Sequence, residues 1–480
     1  MNSNPSRRDF LSVVIGCTLA PLVLTPPSGA GASNTRPNVI LCMADDQGWG
    51  DTAYNGHPVL KTPNLDSMAA NGIRFDRFYS GAPVCSPTRG SCLTGRHPFR
   101  YGIFSANVGH MPGEEKTLAE VLRSLGYATG HFGKWHLGTL TTEIEDSNRG
   151  GPDGADHYSP PWENGFDVCF STEAKVPTWN PMITPDPSAG GVRNETPGEP
   201  FGTYYWTGPG ERAEENLAGD DSRVIMDRAI PFIREAIKRD VPFFAVIWFH
   251  APHLPAVAGE RYRSMYDGYS EDERHFWGCI TALDEQVGRL RKELRSLGIE
   301  NDTMLWYTSD NGPEGKSAEG RTRGTTGPFR GRKRSLHEGG VRVPGILEWP
   351  AVVKTPRVVT APCSTLDYGL TVLDALGLSP DRLGSPIDGI SLMPLIVGKT
   401  TSRPSPIAFE SGKQWSLSDN RYKLITTDGG ETYMLYDIVD DPGEKNDLIA
   451  EKPNIADAMK ETLETWRVSC DRSRGGADYR

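Results

Sequence analysis

Short apolar runs alternate with amphipathic segments along most of the chain. Apolar runs of six to eight residues are typical of strands that are buried on both faces of a parallel sheet. Four such runs lie at residues 37–44, 127–132, 242–249 and 303–309.

Three further segments carry apolar residues at the spacing of an amphipathic helix, at residues 117–126, 222–240 and 278–298. Two of them end at glycine, which commonly follows the last turn of a helix. Strands that alternate with helices in this way predict a doubly wound α/β sheet flanked by helices.

The region over residues 141–221 departs from this alternation. It is rich in Gly, Pro, Asn and Trp and shows no clear periodicity. We expect long loops there, lying over the functional edge of the sheet.

The pattern also changes near residue 400. Two strand-like runs at 421–427 and 432–439 flank a Gly-Gly turn and precede a helical pattern at 454–466. This order predicts a small C-terminal α+β domain of antiparallel strands and a helix over residues 401–480, following a main domain over residues 33–400.

The first residues have the order of an export signal. Arg7 and Arg8 precede an apolar run over 11–24, which is followed by Ala-Gly-Ala. This order is typical of a twin-arginine signal peptide, here residues 1–32. The run is too short and too interrupted by proline to span a bilayer. A lipoprotein box ending at Cys17 is the alternative. We expect the twin-arginine translocase as a partner, a periplasmic or secreted location, and no stable membrane insertion.

Composition narrows the class of protein. The 480 residues are 37% hydrophobic and 24% charged, which is typical of a soluble globular protein. The formal net charge of -11 gives no basic field that would favour nucleic acid. The eight cysteines include no CxxC pair, so neither a zinc site nor a disulfide framework is expected, and a single disulfide bridge is the alternative.

Each of the four strand-like runs is followed by polar residues. In open α/β sheets, ligands bind beyond the carboxyl ends of the strands, so we expect these side chains to converge. They are Asp45 and Asp46, Lys134 and His136, His250 and His253, and Asp310 and Asn311.

The acidic members of this set predict a metal site. Asp45, Asp46, Asp310 and Asn311 supply three carboxylates and one amide oxygen. Ca²⁺ and Mg²⁺ prefer such hard oxygen ligands, whereas zinc would call for more His or Cys. Taken singly, each pair is also typical of a turn or a helix cap.

The basic members suit an anionic substrate. Lys134 and His136 are two residues apart, so in an extended segment both side chains leave the same face. Such a pair combines a fixed positive charge with an acid–base group, although a solvated lysine beside a packed histidine is the alternative.

His250 and His253 have a spacing that could suggest zinc, but the prolines at 252 and 255 break the helix that would align them. We expect His253 to be a proton donor.

Six basic residues lie between Arg321 and Arg334. A run of charges is usually a solvated face. The glycines among them indicate a backbone that passes close to another group, and Lys333 is the candidate anion ligand.

Cys85 stands at a predicted helix start. Ser86 followed by Pro87 reads as a helix N-cap and first helical residue. Amide protons at a helix N-terminus attract anions, and Arg89 lies one turn along, so we expect a lowered thiol pKa and a nucleophilic cysteine. A tyrosine-phosphatase loop is excluded, because only three residues separate Cys85 from Arg89.

The stretch CSPTRGSCLTGR, residues 85–96, resembles the signature of the type I, formylglycine-dependent sulfatases of the alkaline phosphatase superfamily. The resemblance extends in order across most of the chain. It includes the Asp-Asp pair, GKWHLG, PHLP, the Asp-Asn-Gly turn, GRKRSLHEGGVRVP and the C-terminal LYDIVDDPGEKNDL.

The resemblance implies an alkaline phosphatase-like fold with a large mixed sheet. It also implies that a formylglycine-generating enzyme oxidises Cys85 to Cα-formylglycine. A calcium ion, with Mg²⁺ as the alternative, would be held by five residues: Asp45, Asp46, Asp310, Asn311 and the modified Cys85.

The same resemblance implies roles in catalysis. The formylglycine hydrate at position 85 would attack sulfur and Arg89 would hold it, while Lys134 and Lys333 would offset charge on the sulfate. His253, with Lys333, would protonate the leaving alcohol. His136 would take the proton from the second hydroxyl of the hydrate. The family often adds a mid-chain serine, for which Ser171 is the candidate.

The resemblance to bacterial polysaccharide sulfatases and N-acetylgalactosamine-6-sulfatase-like enzymes implies an exported enzyme that hydrolyses sulfate esters of carbohydrate. A phosphonate or phosphodiester monoester hydrolase, and a catalytically silent protein that binds sulfated glycans, are the alternatives. Aromatic and basic residues of the long loops could line sugar subsites or simply pack: Trp162, Trp179, Tyr204, Tyr205, Trp206, Arg321 and Arg323.

Overall fold

The computed structural model describes residues 36–192 and 196–479. The predicted signal peptide over residues 1–32 and the alternative lipoprotein box at Cys17 lie outside these ranges. In the part of the chain that is described, no helix combines the length and the apolar character needed to cross a membrane.

Seventeen strands are present within the described residues. The first nine are β1 (Asn38–Ala44), β2 (Ile73–Phe75), β3 (Phe78–Tyr79), β4 (Ala128–Lys134), β5 (Val168–Thr172), β6 (Trp206–Gly208), β7 (Glu211–Arg212), β8 (Phe243–Trp248) and β9 (Thr303–Ser309). The others are β10 (Arg342–Val343), β11 (Gly345–Glu348), β12 (Arg357–Val359), β13 (Cys363–Ser364), β14 (Ile407–Ser411), β15 (Gln414–Ser418), β16 (Tyr422–Thr426) and β17 (Met434–Asp437).

The α-helices of the described residues range from one turn to seven turns. They are α1 (Pro63–Asn71), α2 (Cys85–Thr94), α3 (Leu118–Ser124), α4 (Asp221–Lys238), α5 (Glu260–Arg263), α6 (Glu271–Ser296), α7 (Glu338–Val341), α8 (Tyr368–Ala375), α9 (Met393–Ile396) and α10 (Pro453–Arg474).

Ten of the strands form one large mixed sheet, in the spatial order β12-β2-β11-β9-β1-β8-β4-β5-β6-β7. The four strands predicted from apolar runs are its centre and run parallel, so that Leu41 of β1 lies opposite Val246 of β8 and Trp306 of β9. The sheet is mixed because β11 runs antiparallel to β9. The predicted α/β fold is confirmed.

Alternate residues of the central strands face two separate hydrophobic cores. In β1, Val39, Leu41 and Met43 pack on one side of the sheet, while Ile40 and Cys42 pack on the other. Helices α3 and α8 contribute to the first core, and α4 and α6 contribute to the second. Burial on both faces explains why these strands read as continuous apolar runs.

The expectation of loops alone over residues 141–221 is wrong. Strand β5 extends the sheet parallel to β4, and β6 and β7 follow it at the edge. The sequence of β5 carries polar residues that are satisfied inside the protein: Ser171 Oγ lies 2.7 Å from His131 Nδ1, and Thr172 Oγ1 lies 2.8 Å from His250 Nε2. Because these hydrogen bonds allow polar side chains to be buried, the sequence of the strand does not show an apolar pattern.

The predicted helices are present with shifted ends. Helix α6 begins at Glu271, several residues before the predicted start, because Ser270 and Glu273 form a capping box there. Helix α10 continues to Arg474, beyond the periodic segment.

The C-terminal residues form an antiparallel sheet in the order β14-β15-β16-β17. The predicted hairpin is its β16–β17 half, and α10 shares a small hydrophobic core with the sheet. The division of the chain at residue 400 stays a prediction.

Candidate active site

The carboxyl ends of β1 and β9 lie side by side and bring their acidic residues together. Asp45 and Asp46 follow β1, and Asp310 and Asn311 follow β9, its parallel neighbour. The backbone N–H of Asp46 donates to Asp310 Oδ1 at 3.0 Å. Three carboxylates are therefore held on adjacent strand ends.

These carboxylates form a buried oxygen cluster. One oxygen from each of Asp45, Asp46 and Asp310 lies within 4.8 Å of the other two, and none of these residues is more than 2% exposed. Asp45 Oδ1, Asp46 Oδ2 and Asn311 Oδ1 are buried without a hydrogen-bond partner among the described residues. Burial and the charge of Asp45 raise the pKa of Asp310 to about 6. Three carboxylates packed this closely, together with buried hard oxygens that lack a hydrogen-bond partner, fit a divalent cation.

Three basic side chains surround the oxygen cluster. Lys134 Nζ lies 2.6 Å from Asp45 Oδ2, and Arg89 Nη2 lies 2.7 Å from Asp310 Oδ2. Lys333 Nζ lies 2.5 Å from an oxygen of the remaining aspartate. All three basic residues are buried. They compensate the acidic charges in the absence of bulk water.

The opposing charges shift the pKa values in opposite directions. Burial alone would raise the pKa of Asp46, but the charge of Lys333 holds it well below its usual range. Burial would lower the pKa of Lys333, but Asp46 holds it well above its usual range. Both groups are therefore charged at neutral pH.

Cys85 begins helix α2, and the predicted N-cap is wrong. The cap residue is Val84, so Ser86 is the second helical residue and Pro87 is the third. The Thr88 N–H donates to the Val84 carbonyl at 3.3 Å, which is the first hydrogen bond of the helix. Because this bond reaches back to Val84, Val84 is the cap residue and the helix starts earlier than predicted.

The predicted lowering of the thiol pKa is also wrong. Cys85 is 2% exposed, and burial raises the pKa of its thiol more than Lys134 and Lys333 lower it. The unmodified thiol is therefore a poor nucleophile at neutral pH. Its Sγ atom nevertheless lies within 4.8 Å of a carboxylate oxygen of Asp45 and a ring nitrogen of His253.

His136 lies beyond the end of β4 and not in an extended segment. Its φ of 60° is in the left-handed region, which corrects the expected geometry, although His136 and Lys134 still reach the same cavity. Burial and the charge of Lys134 hold the pKa of His136 well below its usual range.

The two histidines of the HAPH segment have different environments. His253 lines the cavity, with Nε2 3.6 Å from Asp46 Oδ2 and Nδ1 2.6 Å from the Leu254 carbonyl. Burial holds the pKa of His253 well below its usual range. His250 instead lies between Asp221 and Thr172 at 2.8 Å from each, and it does not line the cavity.

A cavity of about 470 Å³ opens above these residues. Five of the predicted site residues line it, namely Cys85, Lys134, His136, His253 and Lys333. Arg89 and the four candidate metal ligands do not line the cavity. These ligands are Asp45, Asp46, Asp310 and Asn311. Arg89 donates to Asp310 and to the Lys134 carbonyl, at 2.7 and 3.1 Å.

Sequence reasoning missed several polar residues of the cavity wall. They are Ser105, Asn107, Asn148, Lys175, Glu314, Thr322 and Arg334. Most come from irregular loops, where no pattern marks a side chain as facing a site. Arg334 directly follows Lys333 and Glu314 lies three residues after Asn311, and this closeness in sequence was the available signal.

The proposed sugar-binding aromatics and Ser171 do not line this cavity. Tyr205 is fully buried, stacks on Phe170 and donates to Asp221 at 2.6 Å. Trp206 is 2% exposed and donates to Asp146. These two residues pack the protein interior, as in the alternative interpretation.

Comparison with known proteins identifies the class. The sulfatase family model matches residues 37–378, and a model of the C-terminal region of N-sulphoglucosamine sulphohydrolase matches residues 327–469. The chain therefore belongs to the sulfatase family, and the family together with the curated sulfatase relatives indicates sulfuric ester hydrolase activity.

Two curated relatives support this class, and one solved structure shares the fold. It is 33% identical to N-acetylgalactosamine-6-sulfatase of Canis lupus familiaris over 78% of this chain and 69% of the relative. It is 32% identical to arylsulfatase A of Homo sapiens over 93% of this chain and 90% of the relative. The crystal structure of Ps i-CgsB in complex with k-i-k-neocarrahexaose shares the fold, with a TM-score of 0.73 and 24% identity over 90% of this chain and 93% of the other.

Proposed function

We propose that this sulfatase hydrolyses sulfate esters of carbohydrates, in the periplasm or outside the cell after twin-arginine export. The observation that carries the proposal is the position of Cys85, which lies between the buried oxygen cluster and the floor of a cavity lined by basic residues. We also propose that Cys85 is converted to formylglycine by a formylglycine-generating enzyme. The raised pKa of its thiol supports this, because the thiol itself is poorly suited to attack.

The donor set fits a calcium ion. Asp45, Asp46, Asp310 and Asn311 would hold it, beside the modified residue 85. The buried oxygens without a hydrogen-bond partner support this assignment, since such groups are costly unless they are compensated. When bound, the ion would supply positive charge that stabilises negative charge on the sulfate oxygens and on the nucleophile. Mg²⁺ is the alternative ion.

The formylglycine would supply a hydrated aldehyde, whose two hydroxyl groups allow attack on sulfur and later release of sulfate without attack by water on sulfur. Arg89 lies one turn along α2 from residue 85 and is held in place by two hydrogen bonds, one to Asp310 and one to the carbonyl of Lys134. The buried side chains are held in place before substrate binds.

The cavity residues would bind the sulfate and move its protons. Lys134 and Lys333 have raised pKa values, since their carboxylate partners outweigh burial, and they would bind sulfate oxygens as cations. His253 would protonate the leaving alcohol from its protonated ring, the form that the Asp46 carboxylate beside Nε2 favours and that burial opposes. His136 has a pKa well below its usual range, so its neutral ring would accept the proton from the second hydroxyl.

The carbohydrate substrate is supported by the relatives. N-acetylgalactosamine-6-sulfatase is 33% identical over most of this chain, and its name states a 6-sulfated amino sugar. The polar side chains of the cavity wall, such as Ser105 and Thr322, suit the hydroxyl groups of a sugar.

The proposal is tested by sulfate release from a panel of sulfated mono- and oligosaccharides. The panel should include N-acetylgalactosamine 6-sulfate, with matched aryl sulfate and aryl phosphate esters. We expect turnover of at least one sulfated sugar, a higher kcat/KM for aryl sulfate than for aryl phosphate, and no turnover by Cys85→Ala. A preference for the phosphate or phosphonate ester would instead assign the chain to the alternative hydrolase. Binding of sulfated glycans without turnover by formylglycine-containing protein would leave only the binding function.

A further inference from the structure

His136 has two ring nitrogens in different environments. Nε2 lies 2.8 Å from the side-chain oxygen of Asn107. Nδ1 is buried and has no hydrogen-bond partner in the part of the chain that the structure describes. The two nitrogens are therefore not equivalent as proton acceptors.

The orientation of the Asn107 amide is set by a second asparagine. Asn148 Nδ2 donates to Asn107 Oδ1 at 3.0 Å, so this atom is an acceptor and the amide oxygen faces the imidazole. An oxygen with no hydrogen can bond Nε2 only if Nε2 carries the proton. A neutral imidazole has a single N–H, so the proton on Nε2 leaves the lone pair on Nδ1.

The backbone around this contact is held by a separate set of bonds. The His136 N–H donates to the Glu173 carbonyl at 2.9 Å, and the Glu173 carboxylate binds Arg149 Nε at 3.1 Å. Arg149 in turn donates to the Gly109 carbonyl, two residues from Asn107. The loop that carries Asn107 and the turn that carries His136 are thus joined through one ion pair.

We infer that Asn107 is a positioning residue that holds His136 as the Nε2–H tautomer and so presents Nδ1 as the proton acceptor. The inference rests on the role of His136 in the proposed function. The charged and titratable groups that act on the ring are Lys134, Arg149, Arg89 and His253, and all four favour the neutral form. Transfer of the proton from the second hydroxyl of the hydrate to His136 requires a neutral ring with its lone pair on one defined nitrogen.

The side chain of Asn107 can be changed without straining its backbone. Its φ of 62° lies in the left-handed region, where Asn, Asp and Gly are favoured. Asn107→Gly keeps the backbone conformation and removes the acceptor. Asn107→Asp keeps the acceptor and adds a negative charge, so the two variants form a matched pair.

The tautomer is read directly by nitrogen-15 NMR of the histidine rings in the whole chain, with the His136 signals assigned from their loss in His136→Gln. We expect a protonated Nε2 and an unprotonated Nδ1 in the wild-type protein, and a mixture of tautomers in Asn107→Gly. A protonated Nδ1 in the wild type, or an unchanged ring in Asn107→Gly, would overturn the inference. This readout needs no turnover, so it stands apart from any failure of the proposed function.

Kinetics with an active substrate provide the second readout. Asn107→Gly should lower kcat by about tenfold or more, while KM changes by about twofold or less. In Asn107→Asp the carboxylate raises the pKa of His136, so the acid limb of the kcat profile should move to higher pH, with kcat at the optimum largely retained. A role in folding alone would lower the activity of both variants without moving that limb. Equal kcat values for the wild type and Asn107→Gly would contradict the inference.

Discussion

The side-chain amine of Lys333 lies 2.5 Å from Oδ1 of Asp46, and both groups are buried at the base of the cavity. The pair joins the loop after β9 to the end of β1. It places a cation beside the oxygen cluster, where a sulfate group would otherwise meet three carboxylates.

Removal of this cation should weaken binding of the transition state. In Lys333→Met we expect kcat/KM to fall by about 10²–10³-fold, because a preorganised charge on the transferring group is lost. Steady-state kinetics on an aryl sulfate measure the loss. Lys316→Met is the control, since Lys316 is an exposed lysine of the same loop and should change kcat/KM by less than about twofold. A similar loss in both variants would argue against a specific role for Lys333.

Calcium should stabilise the folded protein. A ligand at 100 times its Kd adds about 2.7 kcal/mol to the free energy of unfolding. Chelation should therefore lower the Tm by several degrees, and added Ca²⁺ should restore it. Asp45→Asn is the matched variant, in which the Ca²⁺-dependent change in Tm should shrink strongly. If chelation leaves the Tm and the activity of the wild type unchanged, the oxygen cluster does not bind a cation that the fold or the reaction needs.

Substitution of the two histidines of the HAPH segment should have different effects, on catalysis for one and on stability for the other. His253→Asn should lower kcat by about 10² or more for a sugar sulfate, and by less for an aryl sulfate whose leaving group needs no proton. His250→Asn should leave kcat within about threefold and instead cost about 1–3 kcal/mol of stability, because it disturbs the buried bonds to Asp221 and Thr172. Kinetics on both substrates and urea unfolding test this contrast. Equal losses on the two substrates in His253→Asn would exclude a proton donor.

Asp51 should make the stability of the protein depend on pH. Burial raises the pKa of Asp51 from its ordinary 3.8 to about 7, although its carboxylate accepts from the Gly48 and Thr325 N–H groups at 2.8 Å. Between about pH 4 and pH 7 the folded state therefore binds more protons than the unfolded state. Stability from this group is fully present below pH 4 and falls as the pH rises, by at most about 1.4 kcal/mol per unit.

Asp51→Asn removes that titration. Urea unfolding of both proteins at several pH values should show that the free energy of unfolding of the wild type, relative to that of Asp51→Asn, decreases from pH 4 to pH 7. A difference in unfolding free energy that is constant over this range would contradict the prediction.

The central sheet could be predicted because β1, β8 and β9 are buried on both faces and thus carry continuous apolar runs. The convergence of Asp45 with Asp310 followed from the parallel order of strands alone. Strand β5 could not be predicted, because its polar side chains are satisfied by partners distant in sequence.

Other features of the site depend on packing that no local pattern encodes. The Ser-Pro pair at 86 and 87 has the composition of a helix start, yet the helix begins at Cys85. The pKa of the Cys85 thiol depends on its burial at the floor of the cavity more than on its place at a helix end. Asn107 comes from an irregular loop, and its contact with His136 exists only in the folded chain.

The most direct measurement is mass spectrometry of the peptide that contains Cys85, from protein purified out of its own host. We predict the mass of an aldehyde in place of the thiol, in a fraction of the protein that matches the active fraction. An unmodified thiol in fully active protein would contradict the proposed nucleophile.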